Sequence, residues 1–139
     1  MADDKVMVQE FCDALSAGTD IDATIDRYVA EDFVEHEPWP GMEPTREIPR
    51  QGFKMMRAAM PDFAVTVHEM LQDGDKVVVR ATFSGTHQGE LMGFPASGKQ
   101  VEIPVIDIHQ ARDGKIVAHW GVSDMAAMMG QTGSASDSS

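Results

Sequence analysis

Residues 63–87 read FAVTVHEMLQDGDKVVVRATFSGTH, and this stretch decides the fold class. Apolar and polar residues alternate on both sides of the pair Asp73-Gly74, and β-branched residues are frequent. Alternation with a period of two is typical of β-strands, and a central Asp-Gly pair favours a tight hairpin turn. The stretch therefore predicts two antiparallel strands, over 63–71 and 76–87.

A second hairpin follows along the chain. Residues 101–110 and 116–122 alternate in the same way, and Asp113-Gly114 lies between them. The intervening segment 89–99 contains three glycines and a proline, which is typical of a loop. The C-terminal half therefore predicts a four-stranded antiparallel sheet made of two joined hairpins.

Three amphipathic helices are predicted before the sheet. The first begins near Asp3 and ends at Gly18, and the second follows Asp20, a suitable N-cap. The third covers 49–60, because Pro61 cannot continue a helix. Helices followed by a sheet without crossover connections indicate an α+β fold with helices on one face of the sheet.

The segments outside these elements are predicted from composition. Residues 32–37 are extended, the proline-rich segment 38–44 is a loop, and 125–129 form a short helix. Small and polar residues make up 131–139, which predicts a disordered tail. We therefore expect one domain over 1–130, followed by this tail.

Charge and composition exclude several function classes. The chain has 139 residues and a formal net charge of −12, which disfavours nucleic acid and anionic lipid as partners. Its single cysteine, Cys12, cannot form an internal disulfide and is interpreted as a packing residue. The sequence shows no signal peptide and no apolar run long enough for a membrane span, so we expect a cytoplasmic protein without membrane contact.

The second hairpin carries the candidate catalytic side chains. Asp107 and His109 are two residues apart on one strand and therefore point to the same face. A two-residue turn at 113–114 would place Asp107 opposite Trp120, with Asp124 on the same face. A three-residue loop with a glycine bulge would shift the register by one, and the sequence leaves both turns open.

Arg80 and Asp124 each allow two interpretations. Arg80 lies in a strongly apolar strand, so it either pairs with a carboxylate, with Asp107 and Asp124 as candidates, or lies on a solvated face. Asp124 is a catalytic carboxylate, the N-cap of the helix over 125–129, or both.

Other site types lack sequence support. The five histidines are scattered without metal-ligand spacing, so no metal is predicted. Glycine-rich phosphate loops and nucleophile elbows are also missing from the sequence. Eleven methionines and several aromatic residues can form either a plain core or the wall of a pocket for a flat apolar ligand.

Four segments, taken in their order along the chain, resemble the SnoaL-like polyketide cyclases over about residues 5–133. They are YVAEDFVEH at 28–36, MPDF at 60–63, GTHQG at 85–89 and DGKIVAHW at 113–120.

The resemblance implies a fold, a reaction and a set of site residues. The fold is the nuclear-transport-factor-2-like cone-shaped barrel, in which a curved, mostly antiparallel sheet and three helices enclose a deep pocket. The reaction is an aldol condensation in antibiotic biosynthesis that closes a ring of a hydrophobic polyketide without any cofactor. Asp124 is implied as its general acid/base, and His109 or Arg80 would stabilise the developing negative charge.

Seven further side chains are expected to bind the hydrophobic small-molecule substrate. They are His36, Trp39, Phe53, Phe83, His87, Phe94 and Trp120. An apolar outer sheet face, including Ile106, Ile108 and Val117, predicts a homodimer or higher homo-oligomer.

Two alternative functions remain open on the same fold. A hydrolase of the limonene epoxide hydrolase kind would need Asp107, Arg80 and Asp124 in one hydrogen-bonded cluster. A non-catalytic binding domain would use Asp124 only as a helix cap, and its pocket would be closed or would lack a paired base.

Overall fold

The computed structural model describes residues 2–18, 20–38, 41–91 and 93–132. The elements in chain order are α1 (Ala2–Ala17), α2 (Ile21–Tyr28), β1 (Val29–Glu35), α3 (Glu47–Ala59), β2 (Ala64–Asp73), β3 (Lys76–Thr86), β4 (Gln100–Arg112), β5 (Lys115–Ser123) and α4 (Met125–Thr132). None of the helices within these ranges is long and apolar enough to cross a membrane.

The five strands form one sheet in the order β1-β5-β4-β3-β2. The β2–β3, β3–β4 and β4–β5 pairs are antiparallel, whereas β1 pairs with β5 in parallel. The predicted α+β cone with helices over the sheet is confirmed, and the sheet is open rather than closed into a barrel. The extended segment near residue 32 proves to be a fifth strand, which begins at Val29.

Local sequence explains where the N-terminal helices begin and end. Asp20 caps α2, because its Oδ1 accepts a 3.0 Å hydrogen bond from the backbone N–H of Ala23. α1 ends before Gly18, whose φ of 66° is costly for residues with a Cβ. α3 begins two residues before the predicted start and ends at Ala59, just before the Met60-Pro61 segment.

The helices pack on the inner face of the curved sheet and bury one continuous core. α1 lies against β2, where the hydroxyl Oγ of Ser16 accepts a 2.8 Å hydrogen bond from the backbone N–H of Val65. The largest fully buried apolar side chains are Phe63, Leu15, Ile25, Met60, Leu91, Ile103 and Ile116. Burial of each such side chain stabilises the fold by about 1.5–3 kcal/mol.

The β4–β5 hairpin has a two-residue turn, one of the two turns that the sequence left open, and also a bulge. Asp113 and Gly114 have φ values of 54° and 77°, as a tight Asp-Gly turn requires. Next to the turn, Ala111 pairs with Ile116, but Gln110 pairs with Ala118, so Val117 is an extra residue in β5. This bulge shifts the register by one for the rest of the hairpin.

The bulge corrects the pairing expected at the site. Asp107 lies opposite Gly121 and His109 opposite His119, so the register is the one shifted by a bulge and the alternative Asp107–Trp120 pair is not formed. Trp120 pairs instead with Ile108 on the outer face of the sheet. The expected common face for Asp107, His109, Trp120 and Asp124 is therefore not formed.

The C-terminal helix is longer than predicted. α4 runs from Met125 to Thr132 and therefore includes Gln131, which the sequence assigned to a tail. The Gln131 side-chain amide forms two hydrogen bonds with the backbone of Glu102, of 2.6 and 2.8 Å. The rest of the expected tail, 133–139, lies outside the described residues.

Candidate active site

A cavity of about 350 Å³ lies between the inner face of the sheet and helices α1 and α3. Most of its wall is apolar and includes Phe11, Leu15, Phe33, Phe53, Met56 and Phe83. The predicted apolar pocket is therefore present, and its wall combines aromatic rings with adaptable methionine side chains.

Ionisable side chains from three adjacent strands meet at one part of this wall. Asp107 and His109 come from β4, His119 comes from β5, and Glu35 ends β1. The pairs His109–His119 and Glu35–His119 are set by strand register, so the sheet itself brings these groups together. We call Glu35, Asp107, His109 and His119 the polar cluster.

His119 links the two carboxylates of the polar cluster. Its Nδ1 lies 2.9 and 2.8 Å from Oε1 and Oε2 of Glu35, and its Nε2 lies 2.8 Å from Oδ1 of Asp107. Glu35 is held in turn by the backbone N–H of Glu37, which donates to Oε2 at 3.1 Å. The His119 ring is therefore fixed at both nitrogens.

The two carboxylates keep His119 protonated at neutral pH. Burial by itself lowers the pKa of His119, but the hydrogen bonds to Asp107 and Glu35 outweigh burial and raise this pKa to about 9. Both ring nitrogens then donate, one to each carboxylate. At pH 7 the three groups form a carboxylate–imidazolium–carboxylate chain at the cavity wall.

His109 behaves in the opposite way. It is buried, and its Nδ1 has no hydrogen-bond partner among the described residues. Burial lowers the pKa of His109 to about 4, because the nearby Asp107 carboxylate compensates only part of the desolvation. The neutral His109 ring packs edge-on against Phe11, with ring centroids 6.3 Å apart, and lies 5.1 Å from the His119 ring.

The opposite pKa shifts of His119 and His109 predict a bell-shaped dependence of stability on pH. Above a pH of about 6.5 the folded protein keeps the His119 proton that the unfolded chain loses, so stability falls as pH rises towards 9. Below about 6.5 the unfolded chain protonates at His109 whereas the folded chain does not, so stability falls as pH decreases towards 4. Each limb has an expected slope of about 1.4 kcal/mol per pH unit.

Urea unfolding between pH 4 and pH 9 measures these limbs. His109→Gln is expected to reduce the slope of the acid limb, while the limb above pH 6.5 keeps its slope. An unchanged acid slope in this variant would contradict the assignment of that limb to His109.

Three members of the polar cluster also have the donor types of a metal site. One donor atom each from Asp107, His109 and His119 lies within 4.8 Å of the other two, so the group could hold a metal ion. In the present arrangement both nitrogens of His119 donate to carboxylates. A cation bound here would therefore have to replace the proton on Nε2 of His119.

Cys12 also lines the cavity, and its thiol stays protonated. Burial and, to a lesser extent, the Asp107 carboxylate raise the pKa of Cys12 to about 12. A neutral buried thiol is a poor nucleophile, so its interpretation as a packing residue is retained.

Two of the four predicted catalytic residues, Asp107 and His109, line the cavity, whereas Arg80 and Asp124 do not. Arg80 points to the outer face, because its neighbours Val79 and Ala81 point into the cavity, and its Nε donates to Oε1 of Glu69 at 2.7 Å. Of the two interpretations from sequence, the solvated face is therefore the one that the structure supports, and the carboxylate partner of Arg80 is Glu69 rather than Asp107 or Asp124.

Asp124 caps the C-terminal helix. Its Oδ1 accepts a 3.0 Å hydrogen bond from the backbone N–H of Ala127, and its own backbone N–H donates to the carbonyl of Pro104. Its side chain is exposed and does not line the cavity. Of the two interpretations from sequence, the structure therefore places Asp124 as an N-cap.

Phe53 and Phe83 are the two expected substrate-binding residues that line the cavity, and their rings are 6.0 Å apart. His36 and Trp120 stack on each other away from it, with ring centroids 4.3 Å apart. Their position follows from the bulge, which turns Trp120 outward.

The remaining expected substrate-binding residues are His87, Phe94 and Trp39. His87 is buried in the β3–β4 connection, where its Nδ1 lies 3.0 Å from Oγ of Ser97, and Phe94 packs against the core. Neither of these side chains lines the cavity. Trp39 lies outside the described residues.

Sequence reasoning missed Glu35 and His119 as site residues. Both occur in segments that carry the family resemblance, Glu35 in 28–36 and His119 in 113–120. The signal that could have identified Glu35 is its position two residues after Phe33 in an extended segment, which puts both side chains on the same face. Glu35 is buried, with 5% of its surface exposed, which is unusual for a carboxylate unless it is paired.

Comparisons with known proteins agree with this fold. The family model described as SnoaL-like polyketide cyclase matches residues 6–132. A search of curated protein sequences found no significant match.

Three solved structures from Streptomyces are similar over nearly the whole chain. IdmH from Streptomyces antibioticus, proposed to be a polyketide cyclase, is 31% identical, with a TM-score of 0.79 over 94% of this chain and 98% of that chain. TsrD from Streptomyces laurentii is 28% identical, with a TM-score of 0.82 over 93% of each chain. AclR from Streptomyces galilaeus, proposed to be a hydroxylase, is 27% identical, with a TM-score of 0.84 over 96% of this chain and 98% of that chain. By the family match and these similarities, the chain belongs to the SnoaL-like polyketide cyclase family.

Proposed function

We propose that this protein closes a ring in a hydrophobic, polyketide-like carbonyl compound by an intramolecular aldol reaction, with Asp107 as general base and His119 as general acid. The observation that carries the proposal is the 2.8 Å hydrogen bond between Nε2 of His119 and Oδ1 of Asp107 at the wall of an apolar cavity. It places a carboxylate base beside a proton donor, as an aldol reaction requires.

The proton transfers balance within this pair. Oδ2 of Asp107, which has no hydrogen-bond partner among the described residues, takes a proton from the carbon between two carbonyl groups. The resulting enolate attacks a second carbonyl carbon of the same molecule, and His119 donates its Nε2 proton to the forming alkoxide. The proton on Asp107 then passes to Nε2 of His119, which restores the starting state.

The other two members of the polar cluster support this cycle. Glu35 accepts from Nδ1 of His119, so the ring keeps that proton and its orientation while Nε2 gives up its own. His109 is neutral and buried beside the pair, which limits water near the reacting groups.

The cavity wall supports the substrate class. Phe53 and Phe83 offer ring faces and edges to a flat molecule, and Met55 and Met56 adapt to its shape. Holding both reacting carbons close together can supply several kcal/mol of the barrier, about 7–11 in the best intramolecular cases.

The alternatives have less support. Epoxide hydrolysis was expected to use an Asp107–Arg80–Asp124 cluster, but Arg80 lies on the other face of the sheet and pairs with Glu69. A non-catalytic binding domain was expected to use Asp124 only as a helix cap, and Asp124 does cap α4 outside the cavity. It was also expected to have a closed pocket or no paired base, whereas Asp107 has a charged partner in the cavity.

A homodimer or higher homo-oligomer stays a prediction. Ile106 and Val122 pair across β4 and β5 on the outer sheet face, with 49% and 68% of their surfaces exposed. Such a face favours contact with a second copy of the chain.

Ring closure of an aromatic polyketide aldol substrate, such as a methyl ester of the nogalonic acid type, tests the proposal. The folded wild type is expected to form the cyclised isomer at the same rate with and without EDTA. If ring closure occurs only without the chelator, the acid–base proposal is replaced by metal-assisted chemistry at the polar cluster. If the folded protein forms no product from a series of such substrates, the proposal fails.

Asp124→Asn tests whether Asp107 or Asp124 is the general base. Asparagine is as good an N-cap as aspartate, so this variant is expected to keep the stability of the wild type and its kcat within about threefold. The measurement is urea unfolding together with the ring-closure rate. A loss of about a hundredfold in kcat would return the base role to Asp124 and overturn the assignment to Asp107.

A further inference from the structure

We infer that Gly121 is a positioning residue, because its missing side chain leaves the space in which Asp107 and His119 meet. The inference rests on the proposed function in taking this pair as the acid and base. Gly121 lies in β5 directly opposite Asp107, and His119 precedes it by two residues on the same face.

A side chain at position 121 would collide with both members of the pair. A Cβ atom built on Gly121 overlaps Oδ1 of Asp107 and lies 2.8 Å from Nε2 and 2.9 Å from Cε1 of His119. Oδ1 and Nε2 are the same two atoms that form the 2.8 Å hydrogen bond. Even the smallest side chain therefore occupies the position that this hydrogen bond needs.

The backbone does not explain the glycine. Gly121 is not among the described residues with positive φ, so alanine can adopt its conformation without strain. The atoms that the new Cβ would meet are the ends of side chains rather than main chain. The strand can therefore accept alanine, and the adjustment falls on Asp107 and His119, which must move apart.

Gly121→Ala with Gly130→Ala as the matched control tests the inference. No atom lies within 4 Å of a Cβ built on Gly130, so the control adds the same methyl group without a collision. Histidine side-chain titration by NMR is the first readout because it needs no substrate. Gly121→Ala is expected to lower the pKa of His119 by about one unit or more, since the hydrogen bond that Nε2 of His119 donates to Asp107 is weakened, and Gly130→Ala is expected to leave it unchanged.

Ring-closure kinetics are the second readout. Gly121→Ala is expected to reduce kcat by about tenfold or more with a smaller effect on KM, because the acid and base are displaced while the apolar wall remains. A lowered pKa with wild-type kcat would support the positioning role and overturn the acid–base roles proposed for the pair. A wild-type pKa of His119 in Gly121→Ala would overturn the inference whatever the kinetics.

A double variant covers the case in which Gly121→Ala does not fold. Asp107→Ala removes the carboxylate that the new Cβ overlaps. Gly121→Ala is then expected to cost far less stability in the Asp107→Ala background than in the wild type. Equal losses in both backgrounds would show that the collision with Asp107 is not the cause, and the inference would fail.

Discussion

Asp107→Asn is expected to lower kcat for ring closure by about two to four orders of magnitude, the usual contribution of a positioned general base. Asparagine has nearly the same size and can still accept a hydrogen bond from Nε2 of His119 through its side-chain oxygen. It cannot take up a proton from carbon. The substitution therefore removes the base while the shape of the cavity is kept.

Three measurements make this result specific. Urea unfolding confirms that Asp107→Asn is folded, KM reports whether the substrate still binds, and Asp124→Asn is the matched control outside the cavity. Wild-type kcat in folded Asp107→Asn would contradict the proposed mechanism. A rise in KM with unchanged kcat would assign Asp107 to binding instead.

His119→Leu is expected to be the most destabilising single change at the site, costing about 3–5 kcal/mol at pH 7. Leucine leaves two carboxylates without their shared cation, and Glu35 is 5% exposed while the Asp107 side chain is 17% exposed. When one partner of a buried ion pair is removed, the desolvation cost of the remaining charge is no longer offset, and the folded state is destabilised.

The origin of the loss can be tested with neutral partners. Adding Glu35→Gln and Asp107→Asn to His119→Leu is expected to recover much of the lost stability, because the unpaired charges are gone. The deficit of His119→Leu alone is expected to shrink as pH falls into the range where carboxylates become protonated. If the deficit were independent of pH and of both carboxylates, lost packing rather than lost charge pairing would be its cause.

The sequence was sufficient for those features of the fold that depend on local pattern. Period-two alternation and two Asp-Gly pairs predicted both hairpins, and helical spacing with Gly18 and Pro61 predicted where helices end. The common orientation of Asp107 and His109 followed from their spacing on one strand, and the structure confirms it.

Features that depend on a single bulge were not predictable. The turn at 113–114 has two residues, one of the two lengths that the sequence left open, and the extra residue Val117 changes which residues of β5 face the cavity. His119 and Gly121 therefore point inward and Trp120 outward. The alternation along β5 does not show which residue is unpaired. Beyond an unpaired residue, the side chains that would point inward point outward and the reverse.

Contacts between residues that are far apart in sequence were also not predictable. Glu35 and His119 are 84 residues apart in sequence and become neighbours only because β1 pairs in parallel with β5. The orientation of Arg80 had the same difficulty, since Val77, Val78 and Val79 make both faces of its strand look apolar. Which face meets the helices is decided by packing and not by the strand itself.

Because β1 lies at the edge of the sheet, its local unfolding affects the acid–base pair. β1 has a single neighbouring strand, and its pairing with β5 is interrupted between Val29 and Val34. Edge segments of this kind open at lower free energy than central strands. Each opening of the end of β1 removes Glu35 from His119, so His119 loses a bond that holds its proton.

Amide hydrogen exchange at this edge therefore measures how often Glu35 is released from His119. The backbone N–H of His36 donates to the carbonyl of His119, and that of Glu35 donates to the carbonyl of Pro44. An opening free energy of about 3 kcal/mol would leave under about 1% of molecules with His119 released from Glu35. Substitutions that loosen the edge would lower the active fraction without touching a residue of the cavity.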